Sequence, residues 1–156
     1  MEEAYLSRRN TPVSNSQCRK SIRAVTDDVC ERLNAADESL SADELAHATG
    51  YRRRRIYDVM IVLQVMGWVE KNKKKYTKTA FWGQDYMDHD VLWNKPYHVA
   101  ASSVVKRDAV TPKSRYEYTI CNVLQALGVF VQAEKHVYKR REVHEDVAFD
   151  WQSFLV

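Results

Sequence analysis

A chain of 156 residues with a net charge of +3 has room for one ordinary domain or two small ones. Its 45% apolar content is that of a globular protein, and four glycines and three prolines are too few for wholesale disorder. No apolar run nears the ~18 residues of a membrane span, Met1-Glu-Glu-Ala4 does not read as a signal peptide, and Cys18, Cys30 and Cys121, far apart and without a C-x-x-C pair, fit a reducing compartment and argue against a disulfide frame or a zinc site.

In chain order, residues 1–16 are polar and without apolar period, and read as a flexible arm. From Gln17 to Ala36 the residues Ile22, Val25, Val29 and Leu33 recur at three- and four-residue steps, which predicts an amphipathic helix facing a core. Leu40-Ser-Ala-Asp-Glu-Leu45 follows, with Ser41 and Glu44 at the spacing of a capping box and Leu40 and Leu45 placed as a hydrophobic staple. That predicts a short helix running to Thr49, with Gly50 as its left-handed stop.

Tyr51 to Gly67 carries four consecutive arginines, Arg52 to Arg55, directly into an apolar helix. With a 3.6-residue period, Ile56, Val59, Met60, Leu63 and Met66 share one face, and Arg54, Asp58, Ile61 and Val65 lie opposite. Helix, short capped helix, tight turn and basic helix is the order of a helix-turn-helix, whose last helix enters the major groove by its N-terminal end. Trp68 to Trp82 then reads as two short strands around a lysine-rich turn with Asn72 as turn residue, a wing whose Lys73, Lys74 and Lys75 would neutralise phosphates without reading bases. Charge is segregated accordingly. Residues 17–49 hold four bases against seven acids, whereas residues 50–75 hold eight bases against two. Such asymmetry points to a polyanion on one surface.

Arg54-Arg-Ile-Tyr-Asp-Val-Met-Ile-Val-Leu63 resembles the R-R-x-Y-D-x-x-N-V-L signature of the E2F/DP family of winged-helix transcription factors, with Ile61 where that family has asparagine. Gly67-Trp-Val-Glu-Lys71 and Phe81-Trp-Gly83 resemble the family's wing, and Asp28 to Leu33 with Asp43 to Ala46 resemble the first two helices of its DP branch. The resemblance implies a nuclear, sequence-specific reader of double-stranded promoter DNA with a G/C-rich core, regulating cell-cycle genes. Carried over by motif position, Arg54 and Arg55 would read guanines, since a guanidinium fork matches guanine O6 and N7. Arg52, Arg53, Tyr57, Lys71, Lys73, Lys74 and Lys75 are the candidates for the DNA backbone, and Asp58 is suited to hold an arginine in its working rotamer.

Sixty-one residues on, Arg115-Tyr-Glu-Tyr-Thr-Ile-Cys-Asn-Val-Leu-Gln-Ala-Leu-Gly128 echoes the arginine helix. Arg115 matches Arg54, but Tyr116 stands opposite Arg55 and Thr119 opposite Asp58, so the paired fork is gone. Thr111-Pro112 reads as the helix opening, and Val129 to Arg141 as a second basic hairpin. Segment 84–110, with Pro96 and a weak apolar pattern, predicts a truncated lead-in. The fold class expected is therefore mainly α with small β wings (α+β): a winged helix-turn-helix over 17–83, a second, degenerate and E2F-like unit over 84–141, and an acidic, aromatic tail over 142–156. Arg115, Tyr118, Asn122, Lys135, Lys139 and Arg140 are the second unit's candidates for DNA contact. Family members act as heterodimers joined by a coiled coil, and no sustained heptad follows residue 83. The partner is thus either an E2F/DP-type protein or, by intramolecular pairing, the second unit itself. Ile61 and Val65 are candidates for contact between the units, or else lie under the wing. Asp88-His-Asp90 and His144-Glu-Asp146 lack metal-ligand or nucleophile spacing, so no enzyme, metal or cofactor is expected. The competing function is a winged helix used for protein interaction or non-specific nucleic-acid binding.

Overall fold

The first helix, α1 (Ile22–Ala35), opens where Ser21 accepts a hydrogen bond from the Ala24 N–H through its side chain. The computed structural model describes residues 21–86 and 91–142, so the arm, the predicted start of α1 at Gln17, Asp88-His-Asp90 and the tail from residue 143 lie outside the described residues. Ile22, Val25, Val29 and Leu33 are buried, as their spacing predicts, and Thr26 joins them because its hydroxyl donates back to the Ile22 carbonyl at 2.8 Å. A two-residue strand, β1 (Leu40–Ser41), leads into α2 (Ala42–Thr49). The capping box is complete: Ser41 Oγ accepts from the Glu44 N–H at 3.0 Å, and Glu44 Oε1 accepts from the Ser41 N–H at 2.8 Å. Gly50 takes φ 83°, a left-handed stop that a Cβ would oppose, and its N–H closes on the Ala46 carbonyl.

The arginine helix, α3 (Arg53–Val65), follows at once. Tyr51, immediately before it, is buried and hydrogen-bonds Asp28 on α1, tying this turn to the first helix. The wing is β2 (Val69–Asn72) and β3 (Lys75–Lys78), and β1 adds to β3 to give the antiparallel order β1-β3-β2. Asn72 is the last residue of β2 and pairs with Lys75, so the turn belongs to Lys73 and Lys74. Lys73 carries the positive φ of 60° that the tight connection needs. The Trp68 indole N–H donates to the Gln84 carbonyl at 2.5 Å, and Trp82 packs on its ring at 5.3 Å. This folds the chain after the wing back over α3's end.

The second half contains α4 (Pro96–Val105), β4 (Ala109–Val110), α5 (Arg115–Ala126), β5 (Phe130–Glu134) and β6 (Val137–Arg140). Its sheet order is β4-β6-β5, matching the first. The central strands place Tyr76 and Tyr138 in the same buried position, opposite Leu40 and Val110. Gly67 and Gly128 end α3 and α5 at φ 82° and 83°, and His136 repeats the positive φ of Lys73 at 66°. The sequence places the opening of α5 at Thr111-Pro112, but the helix begins at Arg115, because Ser114 is the cap, accepting from the Glu117 N–H. Residues 111–114 join β4 to α5 where the first half uses residues 42–52, including all of α2. Among the described residues the second half therefore has a wing and a recognition-like helix but no helix-turn-helix. A segment of that length has no room for the missing helix.

One hydrophobic core spans both halves. Its packing is reciprocal: α1 lies on α5, α3 lies on α4, and α3 and α5 meet between them. This explains why Val62 and Val65, outside the predicted core face of α3, are also buried. Arg54 over the Tyr97 ring and Gln64 hydrogen-bonded to His98 bring both ends of α3 against α4, so the strip holding Ile61 and Val65 faces the second half.

Burial pushes the Asp27 carboxyl up to about 6, with Arg23 pulling down and Asp28 adding a smaller upward push. A carboxyl that binds its proton more tightly folded than unfolded contributes stability that is fully present below its unfolded pKa and lost as pH rises through the folded one. Asp27→Asn is therefore expected to melt above the wild type at about pH 7.5, with the difference closing towards about pH 4, as read by thermal denaturation across that range.

Candidate nucleic-acid interface

The first turn of α3 leaves the core while the rest of the helix stays in it. Ile56, Val59, Met60 and Leu63 are fully buried, whereas Arg52, Arg53 and Arg54 are exposed and Arg55 is half-buried on the flank. The positive end of the helix dipole lies here, and Arg52 supplies no side-chain cap. Backbone dipole and guanidinium charge thus favour an anion at the same end.

The predicted site residues fall into three groups. Arg54 is held on its own helix by Asp58 one turn on, at 3.4 Å from Nε, and its guanidinium lies 4.9 Å from the Tyr97 ring centroid. Asp58 is half-buried and desolvation raises its pKa, with Arg54 and Arg55 pulling the other way. Arg53 and Lys75 rest against the acids of α2. Arg53 Nε is 2.7 Å from Asp43, and Lys75 Nζ is 3.4 Å from the capping Glu44, so the wing and both helices of the turn are linked through charge. Lys73 and Lys74 form the exposed tip of the wing, Lys71 lies over the Tyr76 ring, and Tyr57 is 36% exposed beside them on the helix. Exposed pairs of this kind contribute little stability and exchange readily for a phosphate.

The second-half candidates divide differently. Arg115 opens α5 and is exposed, and Lys135 and Lys139 are exposed on the second wing. Tyr118 bonds the His136 ring across to that wing at 2.5 Å. Asn122, at the position where the first half has Ile61, accepts from the Tyr138 hydroxyl at 3.2 Å, an internal tie between helix and wing. Arg140, read from sequence as a DNA contact, is structural. Its guanidinium pairs with Asp85, donates to the carbonyls of Val105 and Arg107, sits 3.6 Å from Asp108 and covers the Phe130 ring. The side chain is only 18% exposed, and a strand position facing the core overrides its basic character. Sequence reasoning also missed Tyr97 and Tyr116. Nothing local marks either residue, since Tyr97 meets Arg54 across the contact between halves and Tyr116 packs on Tyr97.

A three-helix unit with an antiparallel wing, a basic recognition helix and a lysine tip defines a winged-helix DNA-binding domain. Residues 18–82 match the model of the E2F/DP family winged-helix DNA-binding domain. It is a DNA-binding domain of the transcription-factor kind. No curated protein and no solved structure matched the chain. Among the described residues no helix is long and apolar enough to cross a membrane.

Replacing Arg140 with methionine is expected to cost about 2 kcal/mol in chemical denaturation, below the ~3–5 kcal/mol of a fully buried pair because Asp85 is one-third exposed. The salt dependence of DNA binding should be unchanged in that variant.

Proposed function

We propose that this chain is a sequence-specific regulator that reads a G/C-rich element of double-stranded promoter DNA in the nucleus, in the service of cell-cycle genes. Arg54 and Arg55 enter the major groove and fork onto guanines, while Arg52, Arg53, Tyr57, Lys71, Lys73, Lys74 and Lys75 hold the backbone. The observation that carries this reading is the split of α3, whose apolar length is buried from both sides while its arginine turn stands in solvent. A rigid stem with a charged tip can present a fork at a fixed angle, which base reading requires and mere charge attraction does not.

Residues 17–83 are the reading domain in this proposal, and residues 84–141 are a second winged unit that takes the place of a dimer partner. The reciprocal packing of α1 on α5 and α3 on α4, with equal strand orders on either side, supports an internal pair. Linking the two units makes the second docking intramolecular, so assembly on DNA no longer depends on protein concentration. The loss of the fork at Tyr116 and the structural use of Asn122 and Arg140 make the second unit an assistant, with Arg115, Lys135 and Lys139 as its exposed cations.

Fluorescence anisotropy of the purified chain on a G/C-rich duplex and on a scrambled one of equal composition tests this. Arg54→Ala or Arg55→Ala should each lose about 1–3 kcal/mol of selectivity, the worth of one good fork on guanine. Alanine at Lys73 and Lys74 should weaken both duplexes alike and flatten the log–log salt slope by about 0.9 for each phosphate no longer neutralised. Equal affinity of the wild type for both duplexes would sink the reader, leaving a non-specific binder. Saturation at one chain per duplex is expected, and a demand for a second protein would refute the internal pair.

A further inference from the structure

Arg54 does not stand alone at the tip of α3. Its guanidinium carbon lies 4.9 Å from the centroid of the Tyr97 ring, in the first turn of α4. That ring is braced by Tyr116 of α5, with centroids 4.8 Å apart and planes tilted by 60°. The Tyr116 hydroxyl donates to the Tyr97 carbonyl at 3.4 Å, so the brace holds backbone as well as ring. On the other side Asp58 engages Arg54 through Nε at 3.4 Å. Hydrogen bonding to Tyr97 and the charge of Asp58 keep the Arg54 pKa above its ordinary value. Burial, with the Asp58 carboxylate nearby, raises the Tyr116 hydroxyl pKa as well.

Two of these four side chains belong to the first half and two to the second. An arginine that is 64% exposed would ordinarily sample many rotamers and lose that freedom on docking. Here an aromatic face and a carboxylate fix it beforehand, at the seam where α3 meets α4 and α5. We propose that Tyr97 and Tyr116 are positioning residues for base recognition: the second half completes the reading head of the first by holding Arg54 in the geometry that forks onto guanine. The sequence departure at position 116 acquires a use on this account, because a tyrosine where the first half has Arg55 gives up a fork and supplies a brace.

The proposal rests on Arg54 reading a base, and the test separates the two. The selectivity ratio between the G/C-rich and scrambled duplexes is measured for the full chain and for Tyr97→Leu, Tyr97→Phe and Tyr116→Phe, each in the wild-type and Arg54→Ala backgrounds. Tyr97 is 45% exposed, so its leucine variant should fold, and thermal denaturation checks this. Tyr97→Leu is expected to lower the ratio about fivefold, the worth of a partly exposed cation–π contact, with affinity for the scrambled duplex and the salt slope unmoved. Tyr97→Phe keeps the ring face and should stay within about twofold of the wild type. Tyr116→Phe should fall between them. In the Arg54→Ala background none of the three should change the ratio further. Equal losses in both backgrounds, no loss in Tyr97→Leu, or an equal loss on both duplexes would overturn the positioning role and leave Arg54 as a reader. No loss of selectivity in Arg54→Ala itself would overturn the base reading, and the positioning role with it.

Discussion

The structure depends on a conflict resolved within one helix. α3 must bury its apolar length to be held rigidly, while Arg52, Arg53 and Arg54 stay in water at its start. Burial on one face alone would leave Ile61, Val62 and Val65 beside solvent. Val62 and Val65 are buried because α4 and α5 cover the side that α1 and the wing do not. A helix apolar around most of its circumference is an interior element, and each large aliphatic side chain taken fully out of water contributes about 1.5–3 kcal/mol. The arginine turn is left as the one end that the core does not enclose.

The same constraint explains why the second half resembles the first without repeating it. Its wing, its central tyrosine and its glycine-ended helix match those of the first half, and that helix, α5, meets α1 and α3. The short helix corresponding to α2 is missing, and with it the cap and the acids that seat Arg53 and Lys75 in the first half. Where the first half spends its basic residues on an outward surface, the second turns one of them inward: Arg140 closes the gap between β6, Asp85 and the end of α4. The two halves thus differ in which cations face solvent.

Much of the first half was legible because its signals are local. A serine and a glutamate three apart satisfy each other's backbone partners whatever surrounds them, and a glycine after Thr49 takes the left-handed position at no steric cost. The apolar period of α1 and the lysine turn of the wing also need no knowledge of distant residues. The reading of Asn72 as turn residue slipped by one place, because pairing register, not residue preference, decides where a hairpin reverses. α5 starts three residues after Pro112, since Ser114, accepting from the Glu117 N–H, is the cap in place of Thr111.

By itself the sequence determined that a basic helix rides on a capped two-helix scaffold and a lysine wing, since periodicity, capping and turn chemistry act within a few residues. The tertiary structure decided what lies against the other side of that helix. That decision buries Val65 and sets Tyr97 beside Arg54 with Tyr116 behind it, and within the second half Asn122 and Tyr138 become an internal tie while Arg140 pairs with Asp85. The physical reason is range: a cap or a glycine is settled by its neighbours along the chain, whereas the partner of an exposed-looking arginine is chosen by which helices share a core.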